Sequence, residues 1–130
     1  LQMADDLCII SHRGGEYTVF PDLYLPVEYW NKATDMMREI NPNMRFEVQT
    51  DDVVSARVQF PNLSIVHSMQ YNWRAIRYAK YLIVGNSSFS ILPSLMNEDV
   101  KEIIAPKFHA GYNKGYWQEP NNCYKKYTYI

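Results

Sequence analysis

A surplus of positive charge is missing. Thirteen Lys and Arg stand against fourteen Asp and Glu in 130 residues, for a net charge of -1 at pH 7. That balance provides no basic face to replace the counterions on a phosphate backbone, so nucleic acid is not expected as a partner. Long apolar runs are missing too. Residues 81–84 and 103–105 are typical of them, far short of the ~20 that span a bilayer. No charged-then-apolar leader opens the chain, and a transmembrane segment is not expected. Cysteine is scarce: Cys8 and Cys123 lie near opposite ends, which excludes a disulfide framework and a zinc cluster. Cys8 sits in an apolar run and is expected to be a buried, inert thiol. Neither Gly-x-Gly-x-x-Gly nor Gly-x-x-x-x-Gly-Lys occurs, which removes the usual dinucleotide and P-loop readings. No Ser–His–Asp order or nucleophile elbow accompanies His12, His67 and His109, so no catalytic triad is expected.

What is present is core material. Hydrophobic residues make up 47% of the chain, enough for about one domain with a packed interior. Aromatics crowd the C-terminal end, at Tyr112, Tyr116, Trp117, Tyr124, Tyr127 and Tyr129, and such a tail must pack on something or form a contact surface. The chain opens on Leu and enters a strand almost at once, so it is expected to be a piece of a longer protein. Residues 1–107 are expected to form one domain, with 108–130 an aromatic-rich segment packing on it and 111–121 irregular.

The periodicity alternates between two kinds. Residues 7–11 form a short apolar run ending before Gly14-Gly15, the pattern of a strand buried on both faces. Residues 27–40 follow Pro26 and carry Val27, Trp30, Ala33, Met37 and Ile40 on one side, which predicts a helix. Residues 44–48 alternate like a strand, and Thr50-Asp51-Asp52 behind them offers N-cap chemistry for a helix over 53–60. Strand 63–66, helix 73–81, strand 81–84, a short helix over 89–96 limited by Pro93, and strand 102–105 complete the series. Serial β–α units predict an α/β fold: a Rossmann-like parallel sheet of about five strands with helices on both faces. Ligands bind such sheets beyond the strands' carboxyl ends, which directs attention to the loops at 11–17, 50–52, 67–72, 85–89 and 106–111.

Two of these loops favour anions. In Ser11-His12-Arg13-Gly14-Gly15-Glu16-Tyr17 the glycines let backbone amides approach an anion and Arg13 supplies a planar cationic fork; the alternative is a surface turn whose Arg13 pairs with Glu16. In Gly85-Asn86-Ser87-Ser88-Phe89-Ser90, hydroxyls and free amides fall at a helix start, where a plain Ser N-cap is the alternative. Asp51 and Asp52 diverge at a helix start, so one cap and one ligand contact are expected rather than a shared metal. A phosphoacceptor role for Asp51 or Asp52, with Lys107 as partner, lacks a second acidic pair after the first strand.

Three segments together resemble one family. Residues 11–17 resemble the His-x-Arg-Arg-Gly-Asp-Tyr loop, Thr50-Asp51-Asp52 the Ser-Asp-Asp segment, and residues 86–90 the Asn-Ser-Ser-Phe-Ser loop of the α1,2-/α1,6-fucosyltransferase and protein O-fucosyltransferase superfamily. The likeness covers residues 7–107, the C-terminal, nucleotide-sugar-binding half of a GT-B fold. The resemblance implies an inverting, metal-independent transfer from GDP-fucose to a glycan or protein hydroxyl, needing no cofactor. It implies that Arg13 binds the β-phosphate and that Glu16 is the nearest candidate base. Ser11, His12, Gly14, Gly15, Asp51, Asp52, Asn72, Asn86, Ser87, Ser88 and Phe89 would line the donor site, and an N-terminal acceptor domain would be a partner. The sequence departs from the pattern at Gly14, where the family has a second arginine, at Ser11 in place of His, and at Glu16 in place of Asp. Asn72 stands where many relatives have Asp, and Ile91-Leu92 where paired tryptophans often follow. A reading from another class is a non-catalytic module that binds a nucleotide or phosphate through Arg13 and the Ser87-Ser88 loop.

Overall fold

The computed structural model describes residues 3–114 and 124–130. Its strands are β1 (Leu7–His12), β2 (Arg45–Thr50), β3 (Ser64–Val66), β4 (Tyr81–Val84), β5 (Glu102–Ala105) and β6 (Tyr127–Tyr129). They form one parallel sheet in the order β3-β2-β1-β4-β5-β6, the doubly wound Rossmann-like order. Among the described residues four α-helices connect β1 to β5: α1 (Val27–Ile40), α2 (Val53–Gln59), α3 (Met69–Tyr78) and α4 (Ile91–Met96).

Alternation along the strands explains the layers. Cys8, Ile10, Val48, Ile83 and Ile104 point to one side and pack with Tyr29, Trp30, Ala33 and Met37 of α1 and Ala56 of α2. Ile9, Leu82, Val84, Ile103 and Ala105 point to the other side and pack with Ala75 and Ile76 of α3. A strand with apolar residues at every position satisfies both layers at once. Cys8 is fully buried, and burial alone pushes its thiol pKa far up, as befits an inert packing group. Tyr29 adds a polar tie: its hydroxyl donates to the Val84 carbonyl at 2.5 Å from inside the core.

Several expectations need correction. The expected parallel sheet of about five strands with helices on both faces is present, and among the described residues Tyr127–Tyr129 adds a sixth strand at the edge beside β5. Lys126 anchors that strand by donating to the carbonyls of Ser94 and Leu95 at 3.1 Å, and of Asn97, closing the end of α4 with a cation. β1 and β2 both run further than expected, so His12 and Thr50 belong to strands. Helix α3 begins at Met69 rather than residue 73, since Ser68 caps it by accepting from the Tyr71 amide. In α1 the buried side includes Tyr29 and Thr34, whereas Val27 and Ile40 are exposed. Expectations for Tyr116, Trp117, Cys123 and the irregular stretch at 115–121 lie outside the described residues.

Ile83→Ala removes buried volume from the first core layer and is expected to cost about 2–5 kcal/mol. Val58→Ala, on the exposed side of α2, should stay within ~0.5 kcal/mol. Urea unfolding followed by circular dichroism checks both.

Candidate functional site

The connections turn to opposite faces on either side of β1 and β4, so the loops after these strands part and leave a crevice at their carboxyl ends. A cleft of about 220 Å³ lies there, lined by Arg13, Glu16, Tyr17, Asp51, Met69, Ser87 and Phe89. It draws on the loops after β1, β2 and β4 and on the first residue of α3. A larger hollow of about 410 Å³ lies between α1 and the end of α2, lined in part by Asn31, Asp35, Arg38 and Asn62. That one sits on a helix face away from the strand ends, and its Arg38 is 3.4 Å from Asp35. Volume alone favours the hollow on the helix face, whereas topology and chemistry favour the smaller cleft.

Arg13 is the cation of the cleft. Its guanidinium carbon stands 4.1 Å from the centre of the Phe89 ring, a cation–π stack, and one Nη reaches the Met69 sulfur at 3.9 Å. Its Nε is buried with no hydrogen-bond partner. Among the described residues no carboxylate lies within ion-pair distance of Arg13, so the Arg13–Glu16 turn pair is not formed. Burial acts against its charge and lowers its pKa, while Asp51 acts in the opposite sense; a guanidinium stays protonated regardless. A guanidinium with no carboxylate partner can pair with an anion.

The glycine amides are arranged differently from expectation. The Gly14 amide donates to Asp51 Oδ1 at 2.8 Å and the Gly15 amide to Asp52 Oδ2 at 3.1 Å. Both are committed to carboxylates of the neighbouring loop and are not open to a ligand. Asp52 also caps α2, its Oδ1 accepting from the Ser55 amide at 3.2 Å. These amide donors hold its carboxyl below the usual range, the Ser55 amide foremost. One aspartate thus serves as the expected cap, and Asp51 borders the cleft while holding Gly14.

His12 lies beneath the site. It is fully buried, with Trp30 and Phe60 rings 5.6 Å away. Gln59 fixes its tautomer: the amide nitrogen of Gln59 donates to the Leu25 carbonyl at 2.9 Å, so its oxygen must accept from His12 Nε2 at 2.8 Å. Nδ1 then accepts from the Thr50 hydroxyl at 2.8 Å. Both ring nitrogens are occupied, and His12 is a tie between strands rather than a donor-site contact. Ser11, one residue earlier, is buried in β1 opposite Gln49.

Asn72 is also displaced from expectation. It is the fourth residue of α3, buried, with its amide 3.4 Å from the Thr50 carbonyl, and it joins α3 to β2 without lining the cleft. In the loop after β4, the Asn86 amide donates to the carbonyls of Leu23 and His109 at 2.8 Å each, so Asn86 is a brace. Ser87 borders the cleft, its hydroxyl accepting from the Phe89 amide at 3.2 Å at the start of a 3₁₀ turn, while Ser88 is exposed. Glu16 is exposed in the 3₁₀ turn Gly15–Val19, at the mouth of the cleft. Met69 and Tyr17 join the site unpredicted. The available signal for Met69 was Ser68, a helix cap preceding a run read as loop.

No protein-family model matches the chain, and no curated protein or solved structure matches it.

Burial lowers the pKa of His12 below the ordinary 6.5, against smaller opposing effects led by the Gln59 hydrogen bond. The unfolded chain therefore takes up a proton at a pH where the folded one refuses it, and stability falls as pH drops below 6.5. Urea midpoints compared at pH ~7.5 and ~5.5 should show this loss. His12→Asn, though less stable overall, should flatten the dependence over that interval.

Proposed function

We propose that the chain is the donor-binding half of a glycosyltransferase of the fucosyltransferase type, taking a GDP-sugar, most simply GDP-fucose, at the crevice beyond β1 and β4. The observation that carries this reading is Arg13, stacked on Phe89 with a buried, unpartnered Nε and facing Ser87 across the cleft. Support also comes from the place of the cleft, the location where doubly wound sheets take nucleotides.

In this reading the diphosphate lies against Arg13 and the Ser87 turn. Negative charge grows on the leaving phosphate as the bond to the sugar breaks. A guanidinium already in position, in a partly desolvated cleft, stabilises that charge without reorganising water. Transfer with inversion needs a base for the acceptor hydroxyl, and Glu16, exposed on the cleft lining, is the candidate in this chain. The acceptor, a glycan or protein hydroxyl, would be held by a second domain closing on this face. No metal is invoked, since Arg13 supplies the counter-charge.

One observation favours a second reading, a non-catalytic nucleotide- or phosphate-binding module. Gly14 and Gly15 have spent their amides on Asp51 and Asp52, leaving fewer donors for a diphosphate.

Calorimetric titration of the chain with GDP, GDP-fucose, UDP and ADP, with and without Mg²⁺, tests both readings. GDP-selective, metal-independent uptake, weakened roughly 100-fold by Arg13→Ala, is the expected result. Equal uptake of all nucleotides, with no sugar transfer once an acceptor domain is supplied, would favour the non-catalytic module. No uptake by a chain with native circular dichroism would overturn the anion site.

A further inference from the structure

The paired loops after β1 and β2 interlock residue by residue. Asp51 accepts from the Gly14 amide and Asp52 from the Gly15 amide, while each carboxylate also covers the other glycine. A methyl group on Gly14 would stand 3.0 Å from Asp52 Oδ2 and 2.0 Å from Ser55 Oγ; one on Gly15 would stand 2.8 Å from Asp51 Oδ2. Gly15 also has φ +44°, a left-handed conformation that glycine adopts without strain. The two glycines are thus what a crossed pair of carboxylates requires, both in space and in backbone angle.

The clasp is anchored from below. The Asp52 amide donates to Thr50 Oγ1 at 3.0 Å, and the Thr50 hydroxyl donates to His12 Nδ1. The chain of bonds continues through Gln59 to the Leu25 carbonyl. Arg13 lies between His12, held by this relay, and Gly14, held by the clasp. Its backbone is therefore fixed on both sides, and its side chain leaves toward Met69 and Phe89.

We propose that Asp51 and Asp52 are positioning residues: their crossed clasp on the Gly14 and Gly15 amides aims Arg13 at the bound anion, and the carboxylates themselves do not hold the anion. This rests on the anion-site reading above and assigns the aspartates a role apart from contact with a nucleoside.

Electrostatics makes the test discriminating. A carboxylate bordering an anion site repels the anion, so a bystander Asp51 would improve binding when removed in any manner. A clasp predicts opposite responses to two substitutions. Asp51→Asn removes the charge and keeps the acceptor for Gly14, and should bind inorganic pyrophosphate at least as tightly as the parent chain. Asp51→Ala removes charge and acceptor together, and should bind roughly 10- to 100-fold more weakly, the scale of a lost hydrogen bond to a charged group. Amide hydrogen exchange read by NMR supplies a second measurement: Gly14 and Gly15 should be protected in the parent and in Asp51→Asn, and Gly14 should lose protection in Asp51→Ala. Binding by Asp51→Ala as tight as that by Asp51→Asn would overturn the proposal. So would Gly14 and Gly15 amides that exchange freely in the parent chain. If the parent takes up no pyrophosphate while both amides are protected, the anion-site reading fails and the clasp survives only as a fold element, which overturns its assigned role.

Discussion

A parallel sheet has to be covered on both faces, and this requirement organises the molecule. Its crossover connections cannot lie in the sheet plane, and a chain that winds outward from the middle in both directions must send them to opposite sides. Here α1 and α2 take one face and α3 and α4 the other. The change of side falls between β1 and β4. The cleft is a by-product of that change, since the loops after the two central strands are drawn apart. Arg13 and Ser87, 74 positions distant in sequence by their numbers, meet there because β1 and β4 are paired from Cys8–Tyr81 to Ser11–Val84.

Around the cleft, most polar groups satisfy each other. His12, Thr50, Gln59, Asp51, Asp52, Asn86 and the two glycine amides all have partners within the chain. Burying them unpaired would cost about 1–3 kcal/mol each, so the interior is arranged to avoid it. Arg13 carries a stacked Phe89 ring and a buried Nε without a partner, and Trp30 Nε1, Gln49 Oε1 and Asn72 Oδ1 are likewise buried without one. Of these four residues Arg13 alone borders the cleft, where it is the cation among the lining residues.

The elements read most accurately from sequence were those whose own residues carry the whole signal. Helix α1 and strands β4 and β5 match their expected bounds, because a Pro start, an Asn-Pro stop and short apolar runs are local features. The start of α3 was missed because its first turn contains Gln70 and Asn72 among apolar residues, and Asn72 is buried by a bond to the end of β2 that no local pattern announces. Strand β6 was missed for a related reason. Three residues, Tyr-Thr-Tyr, become a strand through pairing with β5 and through the hold of Lys126 on the end of α4. Neither partner is near in sequence.

The site divides along the same line. Which loops face the crevice followed from the order of β and α segments; Arg13 and the Ser87-Ser88 loop were singled out because residue types suited to an anion stood after β1 and β4, and Phe89 entered through the family resemblance. Whether a polar residue in those loops faces the ligand or the protein was not readable, because it depends on who else arrives. His12 is drawn into the core by Thr50 and Gln59, and the glycine amides are taken by Asp51 and Asp52 before any ligand could reach them. Periodicity and local chemistry determined the α/β architecture and the edge of the sheet that matters. Only the tertiary structure decided which donors at that edge stay open, because a hydrogen bond is claimed by the partner that folding brings within about 3 Å, and sequence distance says nothing about which partner that is.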